Sequence, residues 1–332
     1  MSDNLKYQYV IIQTEADYYE LLTMKSVQRK DVFSATGLFD VKAGRLRDAL
    51  YKIYRFNRCK HWYGLNRLLL PFIYHRKING DKPVCFIIWA QYANDVKAFW
   101  GNILKKKYPG CKLVCRFQDV IEKMPYKNID DYRDAFDLLQ TFDEKEASKY
   151  NIDYFPFWYD SVDGIDKGEK SDVLFVGRAK DRLNEILSLY KKLYDASVNC
   201  KFYLVGVPKD EQVNIGNVVY GDCLPYKKVL ELVKGTKCMV EILQHNTESE
   251  TLRVFEAITY NKKLITNNKH LMSKDYYSPD KIQIFDSVDE INIDFIKNEL
   301  RTICYEKKFI DRLRPIELCK HVDSLLTYAN IL

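Results

Sequence analysis

The chain has 332 residues, 47% of them hydrophobic and 30% charged, with a formal net charge of +6. That is enough chain and enough apolar residue for two soluble globular domains with real cores. It excludes a membrane-spanning protein, because the longest apolar run, residues 68–74, is far short of the roughly 20 residues a span requires.

Residues 1–6 contain no apolar signal region, which argues against export. The nine cysteines, an odd number, lie mostly inside apolar segments, as at Cys85, Cys200 and Cys238. They read as reduced thiols of a cytoplasmic protein. Cys111 and Cys115 flank a strand-like Lys-Leu-Val and have no second Cys/His pair at ligand spacing, so no zinc site is expected.

Strand-like and helix-like segments alternate along the chain, the pattern of α/β layering with parallel sheets. The first strand is expected at residues 7–12. A strongly basic block follows, in which residues 42–77 hold ten Lys/Arg against the single acid Asp48, interleaved with Tyr51, Tyr54, Phe56, Trp62 and Leu68. Three readings stay open for it: a solvated helix face over core, a surface that meets an anionic membrane, or a nucleic-acid patch, which no accompanying motif supports. Further strands are expected at 84–89, 112–117, 136–140 and 154–156, with helices at 94–107 and 143–150. Thr141 followed by Asp143 and Glu146 has the form of a capping box, so Asp143 reads as a helix cap.

The polar stretch 159–171, with Gly164 and Gly168, reads as the linker between an N-terminal domain, 1–158, and a C-terminal domain, 172–312. The second domain repeats the alternation, with strands at 172–176, 201–205, 218–220, 238–242, 263–266 and 282–285 and helices at 181–194 and 225–234. Two Rossmann-like halves facing a cleft is the expected architecture.

Candidate chemistry concentrates in the second half. The strand Val173-Leu-Phe-Val ends in Gly177, and Arg178, Lys180 and Arg182 follow before a helix begins. Glycine allows a tight turn, a helix N-terminus offers unpaired N–H groups, and Arg or Lys neutralises a diphosphate. Loops at Gly206 to Lys209 and Gly221 to Pro225 also fall at strand ends, where open α/β sheets bind ligands. Glu248 and Glu256 stand eight positions apart, the second on an amphipathic run with Leu252, Phe255 and Ile258. Such carboxylates share a helix face two turns apart. In the first half the strand-end groups are Gln13 to Glu15, Trp89 to Tyr92 and Arg116 to Asp119. Asp119 is a candidate general base, with helix capping as its other reading.

The run Thr251, Leu252, Arg253 and Glu256, followed by Lys262 to Asn267, resembles the Glu-x7-Glu region of GT-B glycosyltransferases. It is similar, more closely, to a bacterial polysaccharide-biosynthesis group with the pattern Gln-Ser-Gly-Leu-Thr-x-Arg-x-x-Glu and then Lys-Lys-Leu-Ile-Thr-x-Asn. The chain departs from that pattern at Thr247-Glu248-Ser249-Glu250, where a Gly is lost and two carboxylates are gained. The resemblance implies a GT-B enzyme that takes a sugar from a nucleotide-sugar to a glycan, lipid-linked at the inner face of the cell membrane. It implies a diphosphate held by Arg178, Lys180 and Arg182, and Glu256 on ribose or donor sugar. Arg253 would hold phosphate or orient Glu256, with Thr251 and Leu252 beside it. Backbone groups of Cys223 and Leu224 would lie near the base, His245 near the sugar, and the last helix, 313–332, would cross back onto the first domain.

The chain contains no Asp-x-Asp, the carboxylate pair that commonly holds Mg²⁺ beside a diphosphate. A metal-independent reaction without cofactors is therefore expected. Two rivals come from other classes: a non-catalytic GT-B relative that binds a glycan or partner, favoured by the departure at 247–250, and a nucleic-acid-binding protein that uses the basic block.

Overall fold

The computed structural model describes residues 4–13, 22–37, 39, 45–60, 62–72, 81–123, 128–244, 249–298 and 304–328. Contacts divide the chain into two compact units, one of Met1–Pro156 with Pro315–Leu332 and one of Phe157–Arg314.

The first unit is built on a six-stranded parallel sheet in the order β2-β1-β3-β4-β5-β6. Its strands are β1 (Gln8–Gln13), β2 (Val32–Thr36), β3 (Val84–Trp89), β4 (Lys112–Arg116), β5 (Leu138–Thr141) and β6 (Asp153–Tyr154). The strands β1 and β3 are buried along their whole length, which is why they read as apolar runs rather than alternating patterns. The edge strand β2 has no counterpart among the expected elements. Its sequence, Val-Phe-Ser-Ala-Thr, holds only two strongly apolar residues, since an edge strand buries less. The helix expected at 94–107 forms in three pieces, Ala93–Asp95, a π-turn at Val96–Trp100, and Gly101–Lys107.

Asp143 caps the helix Glu144–Tyr150, its Oδ1 accepting from the Glu146 N–H at 2.9 Å. The Glu146 carboxylate turns inward, accepting from Ile121 N–H at 2.6 Å and the Thr141 hydroxyl at 3.2 Å. Burial pushes its pKa up to about 7. The last helix, Pro315–Tyr328, belongs to this unit. Its Asp323 accepts from the Lys6 N–H at 2.6 Å and from the Tyr9 hydroxyl at 2.5 Å, and His321 Nε2 lies 2.9 Å from Asp153.

The second unit carries six parallel strands in the order β12-β11-β10-β7-β8-β9. They are β7 (Ser171–Arg178), β8 (Cys200–Val205), β9 (Val218–Gly221), β10 (Thr236–Glu241), β11 (Lys263–Thr266) and β12 (Ile282–Ile284). The chain runs outward from β7 through β8 to β9, then returns to β10 on the other side of β7. The carboxyl ends of β7 and β10 therefore flank a topological switch point, where doubly wound sheets open a crevice for ligands.

Successive residues point to opposite faces of a strand. Val173, Phe175, Cys238 and Val240 join the main core with Leu189, Tyr190 and Phe202, with the Phe175 and Phe202 rings 5.6 Å apart. Leu174, Val176 and Met239 face the helices Tyr226–Gly235 and Leu252–Thr259.

The segment 159–171, expected as a linker with little to bury, is instead part of this second unit. Tyr159 and Val162 are buried, and Lys234 Nζ donates to the carbonyls of Val162 and Ile165 at 3.0 Å each. Gly168 N–H donates to Glu231 O at 2.8 Å. Polar composition is compatible with packing here because the backbone of the segment finds partners on the helix Tyr226–Gly235 and beyond it, at Leu313 O and the Tyr260 hydroxyl. Tyr159 and Val162 supply most of the apolar burial.

Candidate functional site

Four cations surround the carboxyl ends of β7 and β10, and they divide into two kinds. Arg178 and Lys180 are exposed. Arg178 Nη2 lies 3.8 Å from Cys223 Sγ, beyond the end of β9, and Lys180 Nζ donates to Gln244 Oε1 at 3.1 Å. Lys180 takes a left-handed backbone, φ 49°, which turns the chain out of the strand ahead of the helix Leu183–Asp195.

Arg182 and Arg253 point inward. Arg182 is buried, donating from Nη1 to Ile242 O and from Nη2 to Arg178 O at 3.0 Å. It joins the two strand ends at the switch point. Burial first, and the neighbouring Arg253 second, lower its pKa to about 10. Arg253 Nη2 donates to Val176 O, and its guanidinium stacks over the Phe175 ring at 5.2 Å. Burial pulls its pKa down, while Glu256 and Glu241 oppose that.

The Arg253 guanidinium explains Gly177. A Cβ at position 177 would run into Nη2 of Arg253. Gly177 is within β7 and its φ is not positive, so the tight turn expected of this glycine is a close approach instead.

The helix Leu252–Thr259 is set by its cap. Thr251 has extended backbone, φ −92° and ψ 167°, and its hydroxyl accepts from the Arg253 N–H at 3.3 Å. The same hydroxyl donates to Glu241 Oε1, which also accepts from Thr251 N–H at 3.3 Å, while Glu241 Oε2 accepts from the Thr266 hydroxyl at 2.7 Å. Glu241 is fully buried, and burial raises its pKa against those bonds and Arg253. Sequence reasoning missed Glu241 by reading it as one more residue of an apolar strand. A lone carboxylate in such a strand requires partners, and that signal points to Thr251 and Thr266.

Glu256 is 3% exposed. Its Oε1 accepts from the Tyr226 hydroxyl at 2.7 Å, and Tyr226 lies 2.7 Å from the Tyr159 hydroxyl, so the donors run Tyr159 to Tyr226 to Glu256. Burial raises the Glu256 pKa to about 7, opposed by Tyr226 and Arg253. Glu256 and Arg253 are the charged members of a cavity of about 200 Å³, walled by Leu174, Val176, Leu252, Val229 and Met239. Neither tyrosine was among the expected site residues.

Glu250, one of the two carboxylates gained at 247–250, is compensated. It accepts from the Tyr276 hydroxyl and lies 3.4 Å from Lys274, so its charge is paired within the unit. Cys223 is exposed and Leu224 half-buried in the loop after β9. His245 and Glu248 lie outside the described residues.

Asp119 belongs to the first unit, exposed after β4, where its Oδ1 accepts from the adjacent Val120 N–H at 2.9 Å. Its neighbour Arg116, expected on the acceptor side, is buried. It donates to Gln140 Oε1 and to the carbonyls of Phe155 (3.1 Å) and Pro156 (2.7 Å), which makes it a strut for the chain leaving β6. Gln13, Trp89 and Tyr92 are likewise buried.

The second unit thus presents a cationic rim, Arg178 and Lys180, above two inward guanidiniums and a helix N-terminus. Backbone N–H groups and preorganised cations are the groups that can hold an anion.

No protein-family model matches the sequence, and no curated protein matches it. Solved structures do. Anabaena HepE, determined with UDP and glucose, is similar at 11% identity, covering 97% of this chain and 99% of that one with a TM-score of 0.54. The sucrose-phosphate synthase of Thermosynechococcus elongatus is similar at 11% identity, covering 98% and 99% with a TM-score of 0.53. The chain has the GT-B type of fold, built on two six-stranded parallel sheets.

Proposed function

We propose that the chain is a glycosyltransferase that moves a sugar from a nucleotide-sugar to a glycan acceptor. The carrying observation is the set of cations, Arg178, Lys180, Arg182 and Arg253, at the switch point of the second sheet. Arg178 and Lys180, whose charged ends face outward, hold the diphosphate. Arg182 and Arg253 brace the strand ends beneath it and add positive potential. Glu256, held by Tyr226 at the cavity wall, accepts from hydroxyls of the ribose or donor sugar.

Departure of a nucleoside diphosphate builds negative charge on its phosphates, and fixed cations stabilise that transition state without reorganising. The reaction runs without a divalent metal, Arg and Lys standing in its place. Asp119 serves as the base on the acceptor hydroxyl. The acceptor is a lipid-linked glycan of surface polysaccharide, capsular or lipopolysaccharide in type, met at the inner face of the cell membrane. Supporting this reading are the match of Thr251, Arg253 and Glu256 to the polysaccharide-biosynthesis pattern and the UDP and glucose bound by the similar HepE structure.

A thermal-shift screen of UDP, GDP, TDP and CMP with their sugars tests it. A ligand that binds only the folded state at about 100 times its Kd adds about 2.7 kcal/mol, raising Tm by roughly 5–10 °C. One nucleotide series is expected to do so, and turnover of its sugar is expected to persist in excess EDTA. No shift with any of the four refutes the donor assignment. Activity lost in EDTA and restored by Mg²⁺ or Mn²⁺ refutes the metal-free mechanism.

A further inference from the structure

Among the described residues, the most exposed apolar surface lies on the helix Arg45–Cys59 and the segment Tyr63–Phe72 of the first unit. By sequence the helix carries five Arg/Lys and one Asp. Its inner face is satisfied by the core. Leu50 and Tyr54 are buried, and Tyr54 accepts from Trp100 Nε1 at 2.9 Å. A second apolar stripe then stands outside that face. At about 100° per residue, Leu46, Ala49, Ile53 and Phe56 fall within one stripe about 80° wide, directly beside the buried one.

The stripe faces solvent: Leu46 is 58% exposed, Ile53 49% and Phe56 54%. Trp62 extends it, 51% exposed with its ring edge-on to Phe56 at 5.9 Å between centroids. Leu65 and Leu68 follow, Leu68 at 75%. Arg45 and Lys52 edge the stripe on its far side, Lys60 stands one turn beyond Phe56, and all three are exposed. The lone acid, Asp48, lies on the other side of the helix.

We propose that this face is a docking surface for an anionic lipid bilayer. The charge decides between occupants. A helix lying in the membrane plane sinks its apolar stripe about 5–10 Å into the headgroup boundary while Lys and Arg reach back to the phosphates. Cations along the edge of an apolar stripe, with an indole at its end, fit that geometry. No membrane-spanning segment is involved: no helix among the described residues is long and apolar enough to cross. The proposal uses no residue of the donor site and stands independently of the reaction.

The chain holds its own probe. Of its four tryptophans, Trp89, Trp100 and Trp158 are buried and only Trp62 is exposed. The full chain is mixed with vesicles of phosphatidylcholine plus phosphatidylglycerol, or of phosphatidylcholine alone. The expected result is sedimentation with the anionic vesicles, a blue shift of emission lost in Trp62→Phe, and quenching by lipids brominated on their acyl chains.

The combined variant Arg45→Gln, Lys52→Gln and Lys60→Gln is expected to lower vesicle affinity roughly a hundredfold, from about 1 kcal/mol per cation at such a surface. The variant Leu46→Ser, Ile53→Ser and Phe56→Ser is expected to lower it roughly a hundredfold and to abolish the quenching. All six side chains are at the surface, and a wild-type urea-unfolding transition is the check that each variant is folded. Equal binding to both vesicle types, no binding, or no quenching of Trp62 overturns the proposal. So does a wild-type dimer that the serine variant makes monomeric without vesicles, or salt-sensitive RNA binding in the absence of vesicle binding.

Discussion

Glu256→Gln offers a direct reading of the buried carboxylate. Burial raises the Glu256 pKa from 4.5 to about 7 in the folded chain, so between those values the folded state holds a proton that the unfolded state has lost. Stability then falls as pH rises through this window, because the unfolded state binds fewer protons. At about 1.36 kcal/mol per pKa unit, two-state titration gives a loss of about 2.5 kcal/mol between pH 5 and pH 8. Glutamine keeps the shape and the acceptor for Tyr226 but cannot ionise, so its stability lacks this slope.

The assay is urea unfolding of wild type and variant at both pH values. The quantity read is the difference between the two proteins. Glu146, whose pKa is also raised to about 7, lies in the other unit and cancels in that difference. The variant is expected to gain about 2.5 kcal/mol on wild type from pH 5 to pH 8. An unchanged difference refutes the account of a carboxylate desolvated in the cavity.

Two further outcomes follow from the switch point. Gly177→Ala is expected to displace the Arg253 guanidinium from Val176 O and the Phe175 ring, costing about 3 kcal/mol and lowering Tm by roughly 5–10 °C; a wild-type melting curve counts against the close approach. Arg178→Ala and Lys180→Ala are expected to weaken donor binding roughly 10–100-fold with stability unchanged, whereas Arg182→Ala is expected to lower stability by about 2–4 kcal/mol by leaving Ile242 O unpaired. Equal thermal stability in all three variants refutes the division into rim and brace.

What was legible in the sequence was whatever local rules decide. The apolar run into β7, the cap at Asp143 and the amphipathic helix with Glu256 are determined by nearest neighbours, and they appear where periodicity places them. The direction of a charged side chain is not local. Arg116, Arg182 and Arg253 carry the same charge as Arg178, and only tertiary packing brings backbone carbonyls to three of them. Glu241 was hidden because its partners, Thr251 and Thr266, are ten and twenty-five residues away. The segment 159–171 misled through its composition, since a few residues, Tyr159 and Val162, anchor it together with the carbonyl-seeking Lys234.

The placement of the helix Pro315–Tyr328 in the first unit bears on the order of events during synthesis. Residues 157–314 are contiguous, and the second unit has all its strands once they have emerged. The first unit has its sheet early but lacks Asp323, the partner of Lys6 and Tyr9, until the helix Pro315–Tyr328 leaves the ribosome. Domains ordinarily fold from the N-terminus as they emerge; here the unit whose sheet emerges earlier is completed after the other. A free chain truncated after residue 314 would therefore expose the β1 surface around Tyr9 while its second unit is complete.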